Sequence, residues 1–209
     1  MHLLEIRMGR VQTLPDAHGQ PHRTAIRKEP VPGPVLLGPE GLLGDEVGDR
    51  KHHGGPDQAL LAYAKDAYDL WVAEGRTVAV GAFGENLLIQ GLDDRTACIG
   101  DRLRVGEALL QVSQPRVPCG TLQRHLGWSD AVARVYATTR GGFYLRVLEA
   151  APLLPGTPIT LVDRPNPAWT VARALHARWK AAEHPDECRA MGAIPELSAD
   201  WRARFGPGA

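Results

Sequence analysis

The chain has 209 residues, in which 24 basic side chains balance 24 acidic ones. That balance gives no field to gather nucleic acid or an anionic membrane surface, and 44% hydrophobic residues supply a packed core. Three widely spaced cysteines with no Cys-x-x-Cys pair argue against a disulfide framework and a structural zinc site, and no apolar run approaches a membrane span.

The start, Met1-His-Leu-Leu-Glu-Ile-Arg7, reads as a strand rather than an export signal, which predicts a cytoplasmic protein. From there to residue 163, short strands are punctuated by Gly and Pro, the pattern of a mainly β body with helices, built as a barrel. The predicted strands are Leu3–Arg7, Thr24–Lys28, Val35–Leu37, Asn86–Ile89, Arg102–Val105, Ala108–Gln114, Gly142–Leu148 and Ile159–Val162. Gly106-Glu107 is a two-residue hairpin turn between two of them. Gln12–Arg23 is polar and without period, and reads as a loop. One helix is predicted to interrupt the strands, opened by Pro56-Asp57, patterned by Leu60, Tyr63, Ala64, Ala67, Leu70 and Trp71, and closed by Gly75. Pro165-Asn-Pro167 marks a boundary, so the chain divides into 1–163 and 164–209. The second part is three short helices: Ala168–Arg178, one starting at Pro185-Asp186, and one starting at Ser198 with Trp201 and Phe205. Its core is too small to be secure alone, so it is expected to dock on the barrel.

Chemistry concentrates around Cys119, in the stretch Val112-Ser-Gln-Pro-Arg-Val-Pro-Cys119-Gly. Pro115 and Pro118 stiffen the backbone into an open loop, and Arg116 stands three residues before the thiol. A guanidinium there favours the thiolate, which either attacks an electrophile or binds a soft metal. The alternative is a packed structural cysteine.

Three glycine-containing turns accompany it. His52-His53-Gly54-Gly55-Pro-Asp57 follows Arg50-Lys51, and glycines there let backbone N–H groups approach an anion. Adjacent histidines diverge, so hydrogen bonding or anion binding suits His52 and His53 better than metal ligation. Glu85 and Asn86, in Gly81-Ala-Phe-Gly-Glu-Asn86, hold a polar ligand or satisfy their own turn. Arg140 and Arg146 flank Gly141-Gly142 and a strand, where phosphate can bridge them or solvent can cover them. No Walker motif, nucleophile elbow or dinucleotide fingerprint is present.

Taken in order, Lys28-Glu-Pro-Val31, Gly41-Leu-Leu-Gly-Asp45, His52-His-Gly-Gly-Pro-Asp57, Gly81-Ala-Phe-Gly-Glu-Asn-Leu87, Ile99-Gly-Asp-Arg-Leu103, Gln114-Pro-Arg-Val-Pro-Cys119 and Gly142-Phe-Tyr-Leu-Arg-Val147 resemble MOSC domains of the stand-alone bacterial YiiM type. The resemblance covers nearly the whole chain. It implies a MOSC β-barrel followed by a small three-helix domain, and a molybdenum cofactor (molybdopterin) with Cys119 as the metal's protein ligand. It also implies reduction of N-hydroxylated compounds, such as hydroxylaminopurine bases and hydroxyurea-like substrates. Under that resemblance Arg50, His52, Gly54, Gly55, Asn86, Arg116, Arg140 and Arg146 bind the cofactor, while His52 and His53, or Glu85, supply protons beside Cys119. Electrons then come from a separate reductase, because no flavin or nicotinamide motif is visible. The partners are small molecules rather than nucleic acid or membrane, and a homodimer is left open. The chain departs from the family by having Gly120 where a bulky aromatic tends to follow the cysteine, and it has no room for the pyridoxal-phosphate domain of cofactor sulfurases. Two rival functions remain: a sulfur carrier holding a Cys119 persulfide, and an anion-binding module in which Cys119 only packs.

Overall fold

The computed structural model describes residues 1–15, 20–49 and 53–206. The first strands are β1 (His2–Met8), β2 (Gln12–Pro15), β3 (Pro21–Thr24), β4 (Glu29–Pro30), β5 (Leu37–Gly38) and β6 (Gly41–Leu42). A 3-10 turn, Pro56–Gln58, leads into β7 (Leu60–Ala64), α1 (Lys65–Ala73) and β8 (Leu87–Gln90). Then come β9 (Arg102–Val105), β10 (Ala108–Pro115), α2 (Gly120–Leu126), α3 (Ala131–Thr138), β11 (Phe143–Glu149) and β12 (Ile159–Asp163). The chain ends in α4 (Val171–Trp179), α5 (Pro185–Gly192) and α6 (Ala199–Phe205).

Among the described residues, one eight-stranded sheet runs β12-β9-β10-β11-β7-β8-β1-β4. Its pairings are antiparallel except β7 with β8. The sheet curls until its edges meet: Leu3 N–H donates to the Thr157 carbonyl at 3.0 Å, and Ile159 N–H to the Met1 carbonyl at 2.9 Å. Joining the edges removes open ladder groups and closes a barrel around an apolar interior that includes Leu3, Ile6, Leu60, Leu87, Leu110, Val112 and Phe143.

The expected β9–β10 hairpin forms, with Val105 opposite Ala108 and Gly106 at φ 59°. The predicted helix over Pro56–Gly75 does not form as one element. Its first half is the turn and β7, and only Lys65–Ala73 is helical. The reason is that β7 is buried on both faces: Leu60 and Ala62 point into the barrel, while Tyr63 and Ala64 join an aromatic cluster outside it. A strand buried on both sides shows no polar alternation, so its apolar run cannot be told from a helical stripe by spacing. Two further expectations shift. Gln12–Arg23 is not a plain loop, because β2 and β3 pair within it. The strand expected at Thr24–Lys28 does not form: β3 ends at Thr24, residues 25–28 lie in no strand, and β4 begins only at Glu29. Helices α2 and α3 were not anticipated; they cover the aromatic cluster with Leu122, Ala131 and Val135.

The three terminal helices dock on the barrel and share its core. Val171, Ala174, Met191, Leu197 and Trp201 pack in the same cluster as the barrel interior. Thr170 and Ser198 cap α4 and α6, accepting from the backbone N–H of Arg173 and Trp201.

Candidate functional site

Strand β10 delivers Cys119. The strand ends at Pro115, and Cys119, with extended backbone (φ −135°, ψ 169°), is the residue from which α2 starts. The thiol therefore ends the short loop over 116–119 and also faces the first turn of a helix, whose N–H groups have no partner within the helix. Burial alone would raise the thiol pKa, but a side-chain hydrogen bond from His53, the Arg116 charge and the backbone N–H groups of Leu122 and Thr121 outweigh it. The net shift takes it from 9.0 to about 6, so the sulfur is a thiolate at neutral pH. The other two thiols are inert by comparison. Burial, then the Asp101 charge, raises Cys98, and burial, then Glu187, raises Cys188, whose Sγ donates to the Ala177 carbonyl.

Cys119 stands on the wall of a cavity of about 180 Å3. Beside it Arg116 is only 5% exposed. Its backbone N–H donates to the Gly142 carbonyl at 2.9 Å, and its charge acts on the Tyr144 phenol in the same cavity wall. Burial raises that phenol's pKa against the pull of Arg116, which keeps it neutral. The Arg116 Nη1 is buried and has no partner among the described residues. A buried, unused guanidinium N–H is costly unless a ligand accepts from it, and an anion is the natural acceptor. Across the cavity, Lys28 Nζ donates to both Asp45 oxygens at 2.6 Å, Asn86 Nδ2 donates to Asp45 Oδ2 at 2.8 Å, and Gly9 N–H donates to Oδ1. This buried ion pair fixes the wall. Gly54 and Gly55 have φ of 89° and 80°, conformations that turn the chain from His53 to Pro56 without a side-chain clash.

Of the residues singled out from the sequence, the structure brings Cys119, His53, Gly54, Asn86 and Arg116 to this cavity, with Gly55 completing the turn beside it. Arg50 and His52 lie outside the described residues. Glu85, Arg140 and Arg146 are placed elsewhere. Glu85 is fully buried and accepts from Tyr68 Oη at 2.7 Å and Gly81 N–H at 2.8 Å, so it holds its own turn; burial raises its pKa. Arg140 is paired with Glu74 and lies over the Trp71 ring at 3.7 Å. Arg146 is paired with Asp57 at 2.7 Å and with Gln111. Each guanidinium found a carboxylate that sequence spacing could not reveal. Conversely Lys28, Asp45 and Tyr144 line the cavity without having been chosen, although all three sit inside the motifs that carry the family resemblance. Gln58 and Thr121 had no signal at all.

Among the described residues no group of three or more His, Cys, Asp or Glu side chains is arranged to hold a metal ion. The described residues at this cavity offer a metal one soft sulfur beside a buried cation. That donor set fits molybdenum carried on an anionic dithiolene cofactor, which brings its own sulfur ligands and needs a guanidinium for its negative charge.

A family model described as the MOSC domain matches residues 49–160. The protein YiiM of Escherichia coli is 35% identical over 202 residues, 95% of this chain and 88% of that one. A Gibberella moniliformis protein named a reductase is 38% identical over 184 residues, which is 84% of this chain and 32% of that protein. The crystal structure of YiiM from Geobacillus stearothermophilus agrees with a TM-score of 0.81 at 32% identity, covering 98% of this chain and 96% of that one. A family match over more than half the chain, and a structural likeness running past it through the terminal helices, mean that the chain belongs to the MOSC domain family, among its YiiM-like members.

Proposed function

We propose that the protein binds a molybdenum cofactor through Cys119 and reduces N-hydroxylated compounds, of the hydroxylaminopurine or hydroxyurea type, to amines or amides. One observation carries the reading: a cavity-wall thiolate, supported by His53, Arg116 and two backbone N–H groups, stands beside a buried guanidinium nitrogen with no acceptor among the described residues. When bound, molybdenum supplies the two-electron chemistry that parts oxygen from nitrogen. The overall change is R–NH–OH plus two electrons and two protons, giving R–NH2 and water.

The protein's own groups divide the remaining work. Cys119 Sγ anchors the metal, and Arg116 Nη1 neutralises the cofactor's negative charge. His53, hydrogen-bonded to the sulfur and exposed at the cavity rim, is placed to give a proton to the departing hydroxyl oxygen. The Lys28–Asp45–Asn86 network holds the far wall rigid. Electrons come from a separate reductase, a division of labour consistent with the reductase-named relative in which the matched region is 32% of the chain. No helix among the described residues is long and apolar enough to cross a membrane, and the proposal places the reaction in the cytoplasm. The orphaned guanidinium favours an anionic cofactor over a sulfur carrier, because a persulfide on Cys119 leaves that donor unused.

The test is metal and pterin analysis of protein made in a cofactor-competent host. Stoichiometric molybdenum and pterin are expected, with both lost in Cys119→Ser while circular dichroism is unchanged. Wild-type protein carrying a sulfane-sulfur adduct and no molybdenum would overturn the reading in favour of the sulfur carrier.

A further inference from the structure

A second cavity, of about 140 Å3, opens where the terminal helices meet the barrel. It shares His53, Gln58 and Tyr144 with the thiol cavity, so the two adjoin around one imidazole, one amide and one phenol. Gln114 of β10 lines it and is 4% exposed, and its Oε1 is buried with no partner. Gln58 Oε1 is orphaned in the same way. Two buried amide oxygens lining one cavity, with no donor among the described residues, are costly unless a ligand donates to them. Trp201 of α6, itself buried, adds an aromatic wall opposite the barrel.

The rim is different in character. Arg178 of α4 and Arg204 of α6 both line the cavity, and among the described residues neither is in an ion pair. Ring faces hold them instead: Arg178 lies 5.1 Å from the Trp201 centroid and Arg204 lies 5.5 Å from the Phe205 centroid. Asp200 is also at the rim, which leaves a net positive mouth over an amide-lined and aromatic floor.

We infer that this second cavity holds the body of the substrate and is built for a purine nucleoside monophosphate. The base edge meets Gln58 and Gln114, and the phosphate meets Arg178 and Arg204. A glutamine amide offers an acceptor beside a donor, the complement of the N–H and ring nitrogen on a purine edge. Two guanidinium groups without carboxylate partners are the complement of a phosphate. The inference rests on the reading of Cys119 as the reaction centre, because only then does a base in the second cavity present its exocyclic nitrogen toward the first. It also gives the terminal helices a function: they supply the groups that select the substrate's tail.

The test uses the metal-free, full-length protein and calorimetric titration with adenosine monophosphate and with adenine. The monophosphate is expected to bind about tenfold or more tightly than the base, as charge-assisted hydrogen bonds imply. Arg178→Ala with Arg204→Ala should erase that preference, and Gln58→Leu should weaken both ligands by a similar factor. Equal binding of the two ligands to wild type, or a preference unchanged by the arginine substitutions, overturns the inference. The reductase reading is separated by assaying cofactor-loaded enzyme on the N6-hydroxy base and its monophosphate. Turnover of both with the same KM, unaffected by the arginine variants, sinks the subsite and leaves the reductase standing. Arginine-dependent binding of the monophosphate without turnover of any N-hydroxylated compound does the reverse.

Discussion

At the scale of single residues, the chemistry of the site reduces to which charges the fold aims at one sulfur. Cys119 titrates near 6 because the hydrogen bond from His53, Arg116 and two backbone N–H groups outweigh a burial penalty that pushes the other way. In metal-free protein the rate of iodoacetamide modification at Cys119 should therefore rise with a midpoint near pH 6. His53→Ala should move that midpoint upward, while Cys98 and Cys188 stay unreactive until the chain unfolds. Mass spectrometry of the labelled peptides reads all three sites. The sign for stability follows from the depressed value: the thiolate's contribution is fully present above its unfolded pKa of 9.0 and is lost as pH falls through about 6. Wild type should thus lose stability relative to Cys119→Ser as the pH is lowered across that window. Glu85 makes the opposite case. Its two bonds among the described residues go to Tyr68 and Gly81, away from the cavity, so under the proposed function Glu85→Gln should keep the fold and the full rate of reduction. A large fall in kcat with the melting temperature unchanged would return Glu85 to the catalytic set. The sequence makes the Cys119–Arg116 pairing legible because the two lie three positions apart. It hides Glu85's partner because Tyr68 lies 17 positions away, and nothing in spacing links the two.

At the scale of elements, the turn before β11 shows how the framework holds the site. Asp94 Oδ1 accepts from Gly141 N–H at 3.1 Å and Gly142 N–H at 2.8 Å, and the Gly142 carbonyl in turn accepts from Arg116 N–H. Gly142 itself has φ 78°, and a Cβ there would lie 2.5 Å from the Ala62 carbonyl, so the turn tolerates no other residue. Asp94→Ala strands two buried donors and should cost roughly 2–5 kcal/mol in denaturant unfolding, with a fall in molybdenum content as Arg116 loses its anchor. Asp94→Asn keeps an oxygen for both donors and should be milder. Burial lifts the Asp94 pKa from 3.8 to about 7, against the pull of the Gly142 and Gly141 N–H groups. Its contribution is full below 3.8 and lost as pH rises through about 7, so wild type should lose stability relative to Asp94→Asn over that range. Spacing showed the barrel strands with period and punctuation, among them β9, β10 and the Gly106 turn. It failed where burial is two-sided, as at β7, and where a helix is too short to establish a stripe, as at α2. The consequence for the site was direct, since α2 supplies two of the N–H groups that hold Cys119 as a thiolate.

At the scale of the whole molecule, the question is whether the barrel and the terminal helices are separate folding units. The composition shift at Pro165-Asn-Pro167 suggests a boundary, yet physical ties cross it at many points. Arg164 reaches back to Asp101 at 2.6 Å, Ile99 N–H donates to the Trp169 carbonyl, and Val171 and Ala172 N–H donate to the carbonyls of Ala97 and Asp94. At the far end Ser198 N–H donates to the Ser113 carbonyl, and Ala199 N–H to Oδ2 of Asp57, which lies in the turn following Gly55. Val171, Ala174, Met191, Leu197 and Trp201 then close over the barrel in a single apolar cluster. Units that share one core cannot unfold independently, because exposing either face costs burial on both. Calorimetry of the intact chain should show one transition, with calorimetric and van't Hoff enthalpies equal. Trp201→Ala should lower that single melting temperature, with a cost of about 3–5 kcal/mol for a buried aromatic. Two resolved transitions, with only the lower one sensitive to Trp201→Ala, would show that the helices are an independent module. A single transition has a functional corollary: loosening α6 disturbs His53 through Asp57, so damage to the helices should surface first as altered reactivity of Cys119.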